Sequence, residues 1–373
     1  MSARKILFIT IDLHGGTGVF LRNLALGLRM YYPGEFEPTL LTMRQLPLEP
    51  GDTEVFRVHE TLAARVDKSW SRLMEAATIL PRMGRAIARL EPDVIITAGN
   101  YANLLVPLVA GSVPVVLTVH SNATDLLGDS SLAGILRPML AWRYSRGMVV
   151  APSKGVADDL RDNFMGSDVR VIPHGVNIEH IARLARQTDD VPTEPFILAV
   201  GRLTNAKDYP TMFHAYALAR ASTDMPPLLI VGGGELEEDL KQLLAMLNLQ
   251  KHVRLLGHRA NPYPYMKRTE FLVLSSRWEG FGLVLIEAMS LGAACIATDC
   301  PSGPGEILAR GKYGMLVGVG DTDSLASAMV EMHDPRTRAR FSSLASKRSS
   351  DYSLHRMVHD YRELLRDSVI LRR

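Results

Sequence analysis

The sequence of 373 residues has few cysteines, few aromatic residues and no excess of one charge. Its two cysteines, Cys295 and Cys300, stand five apart, which fits neither a CxxC pair nor a metal-ligand spacing. We therefore predict two buried or half-buried free thiols in a reducing compartment. A net charge of +2 does not point to a nucleic-acid partner, and we predict none.

Long apolar runs are missing as well. No stretch reaches the roughly 20 residues that a membrane-spanning helix requires. The apolar run near the N-terminus is short and ends at Asp12 instead of a small-residue cleavage site. We therefore predict a buried first strand, Lys5–Ile11, and no signal peptide. The expected location is the cytoplasm, with peripheral attachment to the inner face of the cell membrane left open.

Short β-branched runs alternate with helical patterns along the chain, which is typical of parallel sheets with helices on both faces. The other predicted strands are Thr39–Thr42, Val94–Thr97, Val113–Val119, Gly147–Ala151, Arg170–Ile172, Phe196–Val200, Leu228–Val231, Val253–Leu256, Phe271–Leu274 and Ala294–Ala297. The predicted helices include Val19–Met30, Lys154–Phe164, Tyr209–Ala221, Glu235–Leu247, Leu283–Leu291 and Leu325–Met332. The fold class is therefore α/β, with two doubly wound, Rossmann-like domains.

The predicted domain boundary is a polar, proline-containing stretch at residues 187–195, after which the strand pattern restarts. We predict one domain over residues 1–185, a second over residues 190–353, and an amphipathic helix over residues 354–373 that packs back on the first. Ligands of such sheets bind at the carboxyl ends of the strands. Two facing domains would then form an interdomain cleft, a common place for small-molecule sites.

Three glycine-containing loops follow predicted strands. His14–Gly18 would let backbone amides, including that of Gly16, approach a phosphate, although a tight turn explains the glycines equally well. The loop after Val200 carries Arg202 and Lys207, a planar donor fork and a point charge that suit two adjacent phosphates, with a solvated cationic loop as the alternative. Gly232–Gly234 allows close approach of backbone or ligand and fits a turn or a cleft wall.

The fourth loop is the most informative and reads SSRWEGFGLVLIEAMSLG over Ser275–Gly292. Glu279 lies in its glycine-rich part, and Gly282 opens a predicted helix. The amides of Gly282, Leu283 and Val284 would point outward at the helix N-terminus, where they can hold a diphosphate.

Glu287 lies about one turn further along this otherwise apolar helix. A buried carboxylate requires a polar partner, because leaving it unpaired is costly. The diol of a ribose or sugar suits it, since an ionised carboxylate accepts two hydroxyl donors. A structural salt bridge is the alternative.

Here the residues resemble a known family. Glu279 and Glu287 stand eight apart, as in the EX7E signature of retaining glycosyltransferases of the GT-B fold, and EGFGLVLIEAM resembles glycosyltransferase family 4, in its bacterial polysaccharide and lipopolysaccharide branch. Four further motifs and the N-terminal glycines occur in the family's order: Gly15–Gly16, Ala151–Ser153, Val171–Asn177, Gly201–Asp208 and Cys300–Ile307. Two positions depart from the family: His174 replaces its usual Asn, and Asn177 replaces its usual Asp.

The resemblance implies an enzyme and its substrates. It implies transfer of a hexose or N-acetylhexosamine, with retention, from a nucleotide-diphosphate sugar, with UDP favoured, to a glycan or lipid-linked acceptor in cell-surface polysaccharide biosynthesis. The first domain would bind the acceptor and the second the nucleotide sugar. No metal or other cofactor would be required, because fixed cations and helix amides would stabilise the leaving group.

The resemblance also implies residue roles. Glu287 would bind the ribose and Glu279 the donor sugar, while the diphosphate would be held by Arg202, Lys207 and the amide of Gly16. A further candidate, His120, follows a predicted strand in the first domain. A histidine in that place is usually structural, but the family's histidine reaches the donor sugar.

Asp321 and Asp323 superficially resemble a metal-binding DxD pair. They directly precede a predicted helix, so capping is the better interpretation and we assign no metal ligand.

Two segments of the first domain, Arg65–Leu90 and Ile135–Arg146, interleave basic and apolar residues. Such segments suit docking on an anionic membrane, and ordinary surface helices explain them equally well.

Other functions remain open at this level. A nucleotide-sugar epimerase of the same fold would bind the same donor without a second substrate. A non-catalytic sugar-nucleotide or glycan-binding module would have no need of all four residues Arg202, Lys207, Glu279 and Glu287. An NAD-dependent oxidoreductase fits worst, because the sequence lacks GxGxxG with a downstream ribose-binding acid.

Overall fold

The computed structural model describes residues 3–11, 13, 15–43, 55–56, 59–62, 72–122, 124, 133–165, 168–187 and 190–367, with only the backbone described at 59, 72–77 and 133. These residues divide into two compact units. Unit 1 comprises Met1–Gly175 with Leu354–Arg373, and unit 2 comprises Val176–Ser353.

Unit 1 is built on a seven-stranded sheet in the order β3-β2-β1-β4-β5-β6-β7, all described pairs being parallel. The strands are β1 (Arg4–Thr10), β2 (Phe36–Thr42), β3 (His59–Thr61), β4 (Val94–Ala98), β5 (Val115–Thr118), β6 (Met148–Ala151) and β7 (Asp168–Val171). The helices are α1 (Gly15–Tyr31), α2 (Arg72–Leu90), α3 (Asn100–Leu105), α4 (Ala133–Tyr144), α5 (Lys154–Phe164) and the C-terminal α14 (Leu354–Arg366), with a 3₁₀ turn at Val106–Leu108. All residues of β4 are buried, as expected for a strand covered on both faces.

The C-terminal helix α14 packs on α1. A Cβ on Gly27 would lie 2.3 Å from Val358 Cγ2, so the two helices approach closely only because residue 27 is glycine. At the other end of the contact, Arg362 and Arg366 both form ion pairs with Glu35. These contacts explain why the last helix belongs to unit 1 although unit 2 intervenes in the sequence.

Unit 2 contains a six-stranded parallel sheet in the order β10-β9-β8-β11-β12-β13. Its strands are β8 (Ile197–Val200), β9 (Leu228–Val231), β10 (Val253–Leu255), β11 (Phe271–Leu274), β12 (Ala294–Thr298) and β13 (Met315–Val317). Its helices are α6 (Ile178–Leu184), α7 (Tyr209–Ser222), α8 (Glu237–Met246), α9 (Tyr263–Arg268), α10 (Leu283–Ser290), α11 (Pro304–Ile307), α12 (Thr322–His333) and α13 (Pro335–Ser349), with 3₁₀ turns at Asn205–Lys207 and Ser350–Tyr352.

The boundary between the units lies at residue 175/176, which corrects the predicted linker at 187–195. Helix α6 packs on α9 and α10 of unit 2, and Val176 and Ile181 enter the apolar core there. Within the predicted linker, Val191 is buried in the same core. The polar composition of the stretch was misleading because its few apolar residues are enough to anchor it.

The two cysteines are buried free thiols, as predicted. Burial raises the pKa of both Cys295 and Cys300 to about 12, so neither forms a reactive thiolate near neutral pH. Among the described residues, no helix combines the length and the apolarity needed to cross a bilayer.

Candidate active site

The candidate site lies where the strand order of unit 2 reverses. Strands β8 and β11 are neighbours in the sheet, although β9 and β10 separate them in the chain. Because parallel strands end at the same edge, the loops after β8 and β11 meet there, at the position where doubly wound sheets bind ligands.

The two loops are tied together by backbone and side-chain contacts. The amide of Arg277 donates to the carbonyl of Ala206 at 2.8 Å, and the hydroxyl of Ser275 donates to the carbonyl of Lys207 at 2.7 Å. Arg277 also forms an ion pair with the buried Asp208, with Nε and Oδ2 3.1 Å apart. The backbone that carries Lys207 is therefore fixed before any ligand binds.

Lys207 and Glu279 form an ion pair across these loops. Their side chains are 19% and 11% exposed, so the pair is largely shielded from water. The hydroxyl of Ser276 donates to the same carboxylate oxygen, Oε1, at 2.6 Å. Oε2 accepts no hydrogen bond from the described residues, so one oxygen of an oriented carboxylate stays free for a ligand.

Glycines allow the loop after β9 to pack directly on the loop after β8. A Cβ on Gly232 would lie 1.9 Å from the carbonyl oxygen of Gly201, and one on Gly234 would lie 2.4 Å from that of Leu203. The Gly232–Gly234 loop thus supports the backbone beside Arg202. Its glycines are explained by close backbone packing.

Helix α10 begins directly after Glu279. Gly282 adopts the left-handed conformation, with φ +95°, and turns the chain into the helix. Within the described residues, the amides of Gly282, Leu283 and Val284 have no acceptor. Unpaired amides at a helix N-terminus attract an anion, and this is where the sequence predicts a diphosphate.

Glu287 projects from the first turns of α10 into largely apolar surroundings. Desolvation raises the pKa of its carboxyl group to about 7, and a hydrogen bond from the Tyr263 hydroxyl, at 3.3 Å from Oε1, opposes this only weakly. Glu287 forms no ion pair with the described residues, so the salt bridge considered as an alternative is not found.

The raised pKa of Glu287 predicts opposite effects on stability and binding. The folded protein holds this proton more tightly than the unfolded chain, so its contribution to stability is full below about pH 4.5 and is lost as the pH rises to about 7. Glu287→Gln should therefore raise stability by about 1–3 kcal/mol at pH 8, with little effect at pH 4.5. If the carboxylate binds ribose hydroxyls, the same variant should bind nucleotide about tenfold more weakly.

Thermal unfolding at both pH values and calorimetric titration with UDP measure the two effects. The matched control is Glu194→Gln, because Glu194 is exposed in the same unit. Equal destabilisation of the Glu287 variant at both pH values would contradict the account.

Arg202 differs from Lys207 in having no partner among the described residues. Its side chain is exposed and forms no hydrogen bond or ion pair within the described part of the chain. It follows β8 directly, at the same edge as Lys207. The loop therefore presents one cation held by a carboxylate and one that is available to a ligand.

The remaining predicted residues lie in unit 1. Gly16 is exposed in the first turn of α1, at the carboxyl end of β1. Two residues on, Gly18 passes so close to the carbonyl oxygen of Leu13 that a Cβ would lie 1.6 Å from it. A glycine at position 18 is therefore required by the turn, whereas no atom of the described residues lies within 4 Å of a Cβ placed on Gly16.

His120 is paired with protein groups at both ring nitrogens. The Thr118 hydroxyl donates to the carbonyl of Thr97, at 2.6 Å, and so accepts from His120 Nε2, at 2.7 Å. His120 Nδ1 is then the acceptor for His174 Nε2, at 3.3 Å. Phe20 packs against both rings, with centroids 4.7 Å apart.

This pair of histidines is neutral. Burial lowers the pKa of His120 to about 3, and burial together with His120 lowers that of His174 well below its usual value. His174 thus supplies the proton that His120 accepts. A contact between His120 and a sugar stays a prediction.

Asp321 caps a helix, as predicted. Its carboxylate accepts from the amide of Ser324, at 2.9 Å, at the start of α12. No cluster of three or more metal-ligating side chains occurs among the described residues.

Sequence reasoning missed the residues that orient the predicted ones. Asp208 and Arg277 fix the backbone of Lys207, Ser276 and Ser302 hold Glu279 by its side chain and its carbonyl, and Tyr263 contacts Glu287. Asp208, Ser276, Arg277 and Ser302 lie within the motifs quoted above, but no local pattern gives their contacts, and Tyr263 had no signal.

Two family matches cover most of the chain. Residues 14–180 match the family described as Glycosyltransferase Family 4, and residues 181–348 match the family described as Glycosyl transferases group 1. The chain belongs to glycosyltransferase family 4. The predicted family is thereby confirmed, and family membership supports the prediction of a glycosyltransferase.

Relatives of this family-4 chain include transferases of lipid-linked sugars. It is 29% identical over 272 residues to the N-acetylgalactosamine-N,N'-diacetylbacillosaminyl-diphospho-undecaprenol 4-alpha-N-acetylgalactosaminyltransferase of Campylobacter jejuni, covering 72% of this chain and 73% of that protein. It is also 29% identical over 215 residues to the UDP-Gal:alpha-D-GlcNAc-diphosphoundecaprenol alpha-1,3-galactosyltransferase of Escherichia coli, covering 54% and 55%.

Solved structures confirm the fold. Sucrose-phosphate synthase from Thermosynechococcus elongatus superposes with a TM-score of 0.82 at 21% identity, covering 98% of this chain and 99% of that one. HepE from Anabaena, in complex with UDP-glucose, superposes with a TM-score of 0.79 at 19% identity, covering 97% and 99%. The predicted α/β class, GT-B with two Rossmann-like domains, is thereby confirmed.

Proposed function

We propose that this glycosyltransferase transfers a hexose or N-acetylhexosamine from a UDP-sugar to a lipid-linked or glycan acceptor, with retention and without a metal, in the synthesis of a bacterial cell-surface polysaccharide. The observation that carries the proposal is the group of cations and amides at one edge of the unit 2 sheet. Among the described residues Arg202 has no partner and the first amides of α10 have no acceptor, while Lys207 is fixed by the neighbouring loop.

The layout of α10 matches the order of groups in a nucleotide diphosphate. A helix rises about 1.5 Å per residue, so Glu287 lies about 6 Å along the axis from Leu283. A diphosphate at the first amides would therefore place its ribose beside Glu287. The carboxylate would accept the ribose hydroxyls, with Tyr263 keeping it oriented.

The proposed step breaks the bond between the sugar's anomeric carbon and the diphosphate oxygen. The acceptor hydroxyl forms the new bond from the same face, and its proton passes to an oxygen of the leaving diphosphate. Arg202, Lys207 and the α10 amides stabilise the negative charge that the diphosphate gains. Glu279 Oε2 accepts a hydroxyl of the sugar and fixes its position in the ion-paired loop.

The names of two relatives support the choice of substrates. The E. coli protein is named for UDP-galactose, and both it and the C. jejuni protein are named for undecaprenol-diphosphate acceptors. On this basis we propose UDP as the nucleotide of the donor and a lipid-linked molecule as the acceptor. We do not assign the sugar that is transferred.

The test uses the purified protein with UDP-, GDP- and dTDP-sugars in EDTA, with and without a membrane glycolipid extract. We expect release of UDP from one sugar, dependent on the extract and reduced in Glu279→Gln but not in Glu194→Gln. Product NMR should show the anomeric configuration of the donor. Epimerised sugar without extract, tight binding without turnover, or a requirement for added metal would each contradict the proposal.

A further inference from the structure

Arg348 caps one end of helix α11. It lies on the last turn of α13, and its side chain is only 18% exposed. Its Nε donates to the carbonyl of Ile307 at 2.8 Å, and its Nη2 donates to that of Glu306 at 2.6 Å. Because these are the last two residues of α11, the arginine fixes the C-terminal end of this short helix.

The guanidinium of Arg348 also contacts two tyrosine rings. Its central carbon is 5.2 Å from the centre of the Tyr313 ring and 4.9 Å from that of Tyr352. Nη2 donates to the Tyr352 hydroxyl at 2.7 Å, and Nη1 forms an ion pair with Asp351. Arginine suits this place better than lysine, since its planar fork donates in fixed directions while its faces stack on aromatic rings.

Helix α11 and Tyr352 both support the loop that carries Glu279. At the start of α11, the Ser302 hydroxyl donates to the carbonyl of Glu279. A Cβ on the next residue, Gly303, would lie 2.0 Å from the carbonyl oxygen of Phe281, so backbone packs on backbone there. Tyr352 packs on the same loop, because its ring meets that of Phe281 edge-on with the centroids 5.5 Å apart. Both supports therefore converge on one guanidinium.

We propose that Arg348 is a positioning residue for sugar transfer, which sets the place of Glu279 through α11 and Tyr352. Within the described part of the chain, its hydrogen bonds and ion pair reach no residue that we assign to the donor. Its effect on transfer therefore passes through the two supports. This deepens the proposed function, on which it rests, by naming the residue that holds the Glu279 loop in place.

The position of Glu279 matters more to the sugar than to the nucleotide. The proposed role of Glu279 is to hold a sugar hydroxyl, whereas the cations for the diphosphate lie on the loop after β8. That loop is held by Ser275, at the end of β11, and by the glycine loop after β9. Loss of Arg348 should therefore impair transfer while UDP is still bound.

Arg348→Ala should lower kcat for sugar transfer by about 10–100-fold, since a shift of about 1 Å in a reacting group costs up to about 100-fold. UDP affinity, measured by calorimetry, should stay within about threefold of the wild type, because the loop after β8 is held independently. Arg348→Lys should recover part of the lost kcat, since it keeps the charge and a donor for α11 but not the planar fork.

The matched control is Arg338→Ala, on the same helix. The Arg338 side chain is 21% exposed, forms an ion pair with Glu270 and donates to the carbonyl of His333 at 2.8 Å. Glu270 directly precedes β11, so these contacts lie at the sheet edge opposite the site. Thermal unfolding should show similar losses of stability in both alanine variants, whereas Arg338→Ala should keep its kcat.

Chemical rescue separates positioning from a general loss of stability. In Arg348→Ala, a free guanidinium ion can take the place beside the two tyrosine rings and donate to the α11 carbonyls. Guanidinium chloride at concentrations far below those that unfold the protein should raise kcat of this variant severalfold. Sodium chloride at the same concentration should not, and neither salt should raise kcat of Arg338→Ala.

A readout that needs no catalysis follows the loop itself. Hydrogen exchange in the peptide around Glu279, which contains the hydrogen-bonded amide of Arg277, should speed up in Arg348→Ala and not in Arg338→Ala. Near-normal kcat in Arg348→Ala, equal losses of kcat in the two alanine variants, or unchanged exchange around Glu279 would each overturn the proposal.

The support of the loop and the proposed function fail separately. If exchange responds as expected but the wild type transfers no sugar, the proposed function is wrong while the hold of Arg348 on the loop stands. If the wild type transfers sugar and Arg348→Ala does so equally well, the positioning role is wrong. If the alanine variant does not fold, Arg348→Lys compared with Arg338→Lys gives the same test.

Discussion

Lys207→Met should lower kcat/KM for sugar transfer by about 10²–10³, the effect of removing one fixed donor from a charge-stabilising site. Two causes act together. The variant loses a cation placed to stabilise the leaving diphosphate, and it leaves the Glu279 carboxylate without its ion-pair partner in a site that is largely shielded from water. Because the loss concerns charge that develops during bond cleavage, it should fall mainly on kcat.

Two comparisons isolate the role of Lys207. Lys241→Met removes a lysine of the same unit whose ion pairs with Glu237 and Glu238 are exposed, and it should leave activity unchanged. Glu279→Gln leaves Lys207 without an anionic partner, so UDP binding should persist while transfer falls. Steady-state kinetics and calorimetry give both quantities. A Lys207 variant with near-normal kcat would exclude its proposed role.

Gly303→Ala should unfold or severely disturb the loop that carries Glu279. Gly303 has φ +93°, and a Cβ there would lie 2.0 Å from the carbonyl oxygen of Phe281, directly before Gly282, the N-cap of α10. Gly303 combines this positive φ with ψ −76°, which lies outside the αL region, so the backbone conformation alone costs a non-glycine residue at least about 1–2 kcal/mol. The overlap with backbone adds to this, so we expect a loss of more than about 4 kcal/mol and of most activity.

The chain offers a control that separates strain from overlap. Gly320 has φ +73° but nothing within 4 Å of its missing Cβ, so Gly320→Ala should cost only about 1–2 kcal/mol. Thermal unfolding compares the two variants, and UDP titration reports on the site. Similar unfolding temperatures for both would show that the loop can move away from Gly303, against the tight packing inferred here.

The sequence predicted most strands of both sheets, because β-branched runs bounded by turns are a strong local signal. Leu228–Val231 and Phe271–Leu274 were predicted with the observed bounds. The predictions missed β3 and β13, each of three residues and too short to show a pattern. They also missed α13, whose basic sequence hides the few apolar residues that it buries.

The site was predictable to the extent that it is local in sequence. Glu279 and Glu287 lie on one loop and helix, so their relation follows from spacing. The contact between Lys207 and Glu279 joins residues far apart in the chain and arises from the strand order, which no local pattern reveals. The histidine pair could not be predicted either, because His120 and His174 follow different strands of unit 1.

The two segments that the sequence predicts to dock on a membrane were also predictable only in part. The second of them overlaps the observed α4, and its exposed face became visible only when the buried face was known. The first begins at Arg65, and its residues up to 71 lie outside the described part of the chain. Of its described residues, Arg82 donates to the carbonyl of Leu62, so that arginine serves the fold of unit 1.

The central claim is that unit 2 holds the diphosphate of the donor at the loop after β8 and the first amides of α10. Calorimetric titration of UDP in EDTA, with wild type, Arg202→Gln and the exposed control Arg336→Gln, tests it most directly. The account predicts binding by the wild type and the control, and affinity at least tenfold lower in Arg202→Gln, since a charge-assisted pair contributes about 1.5–3 kcal/mol. Equal affinity of all three proteins for UDP would contradict it.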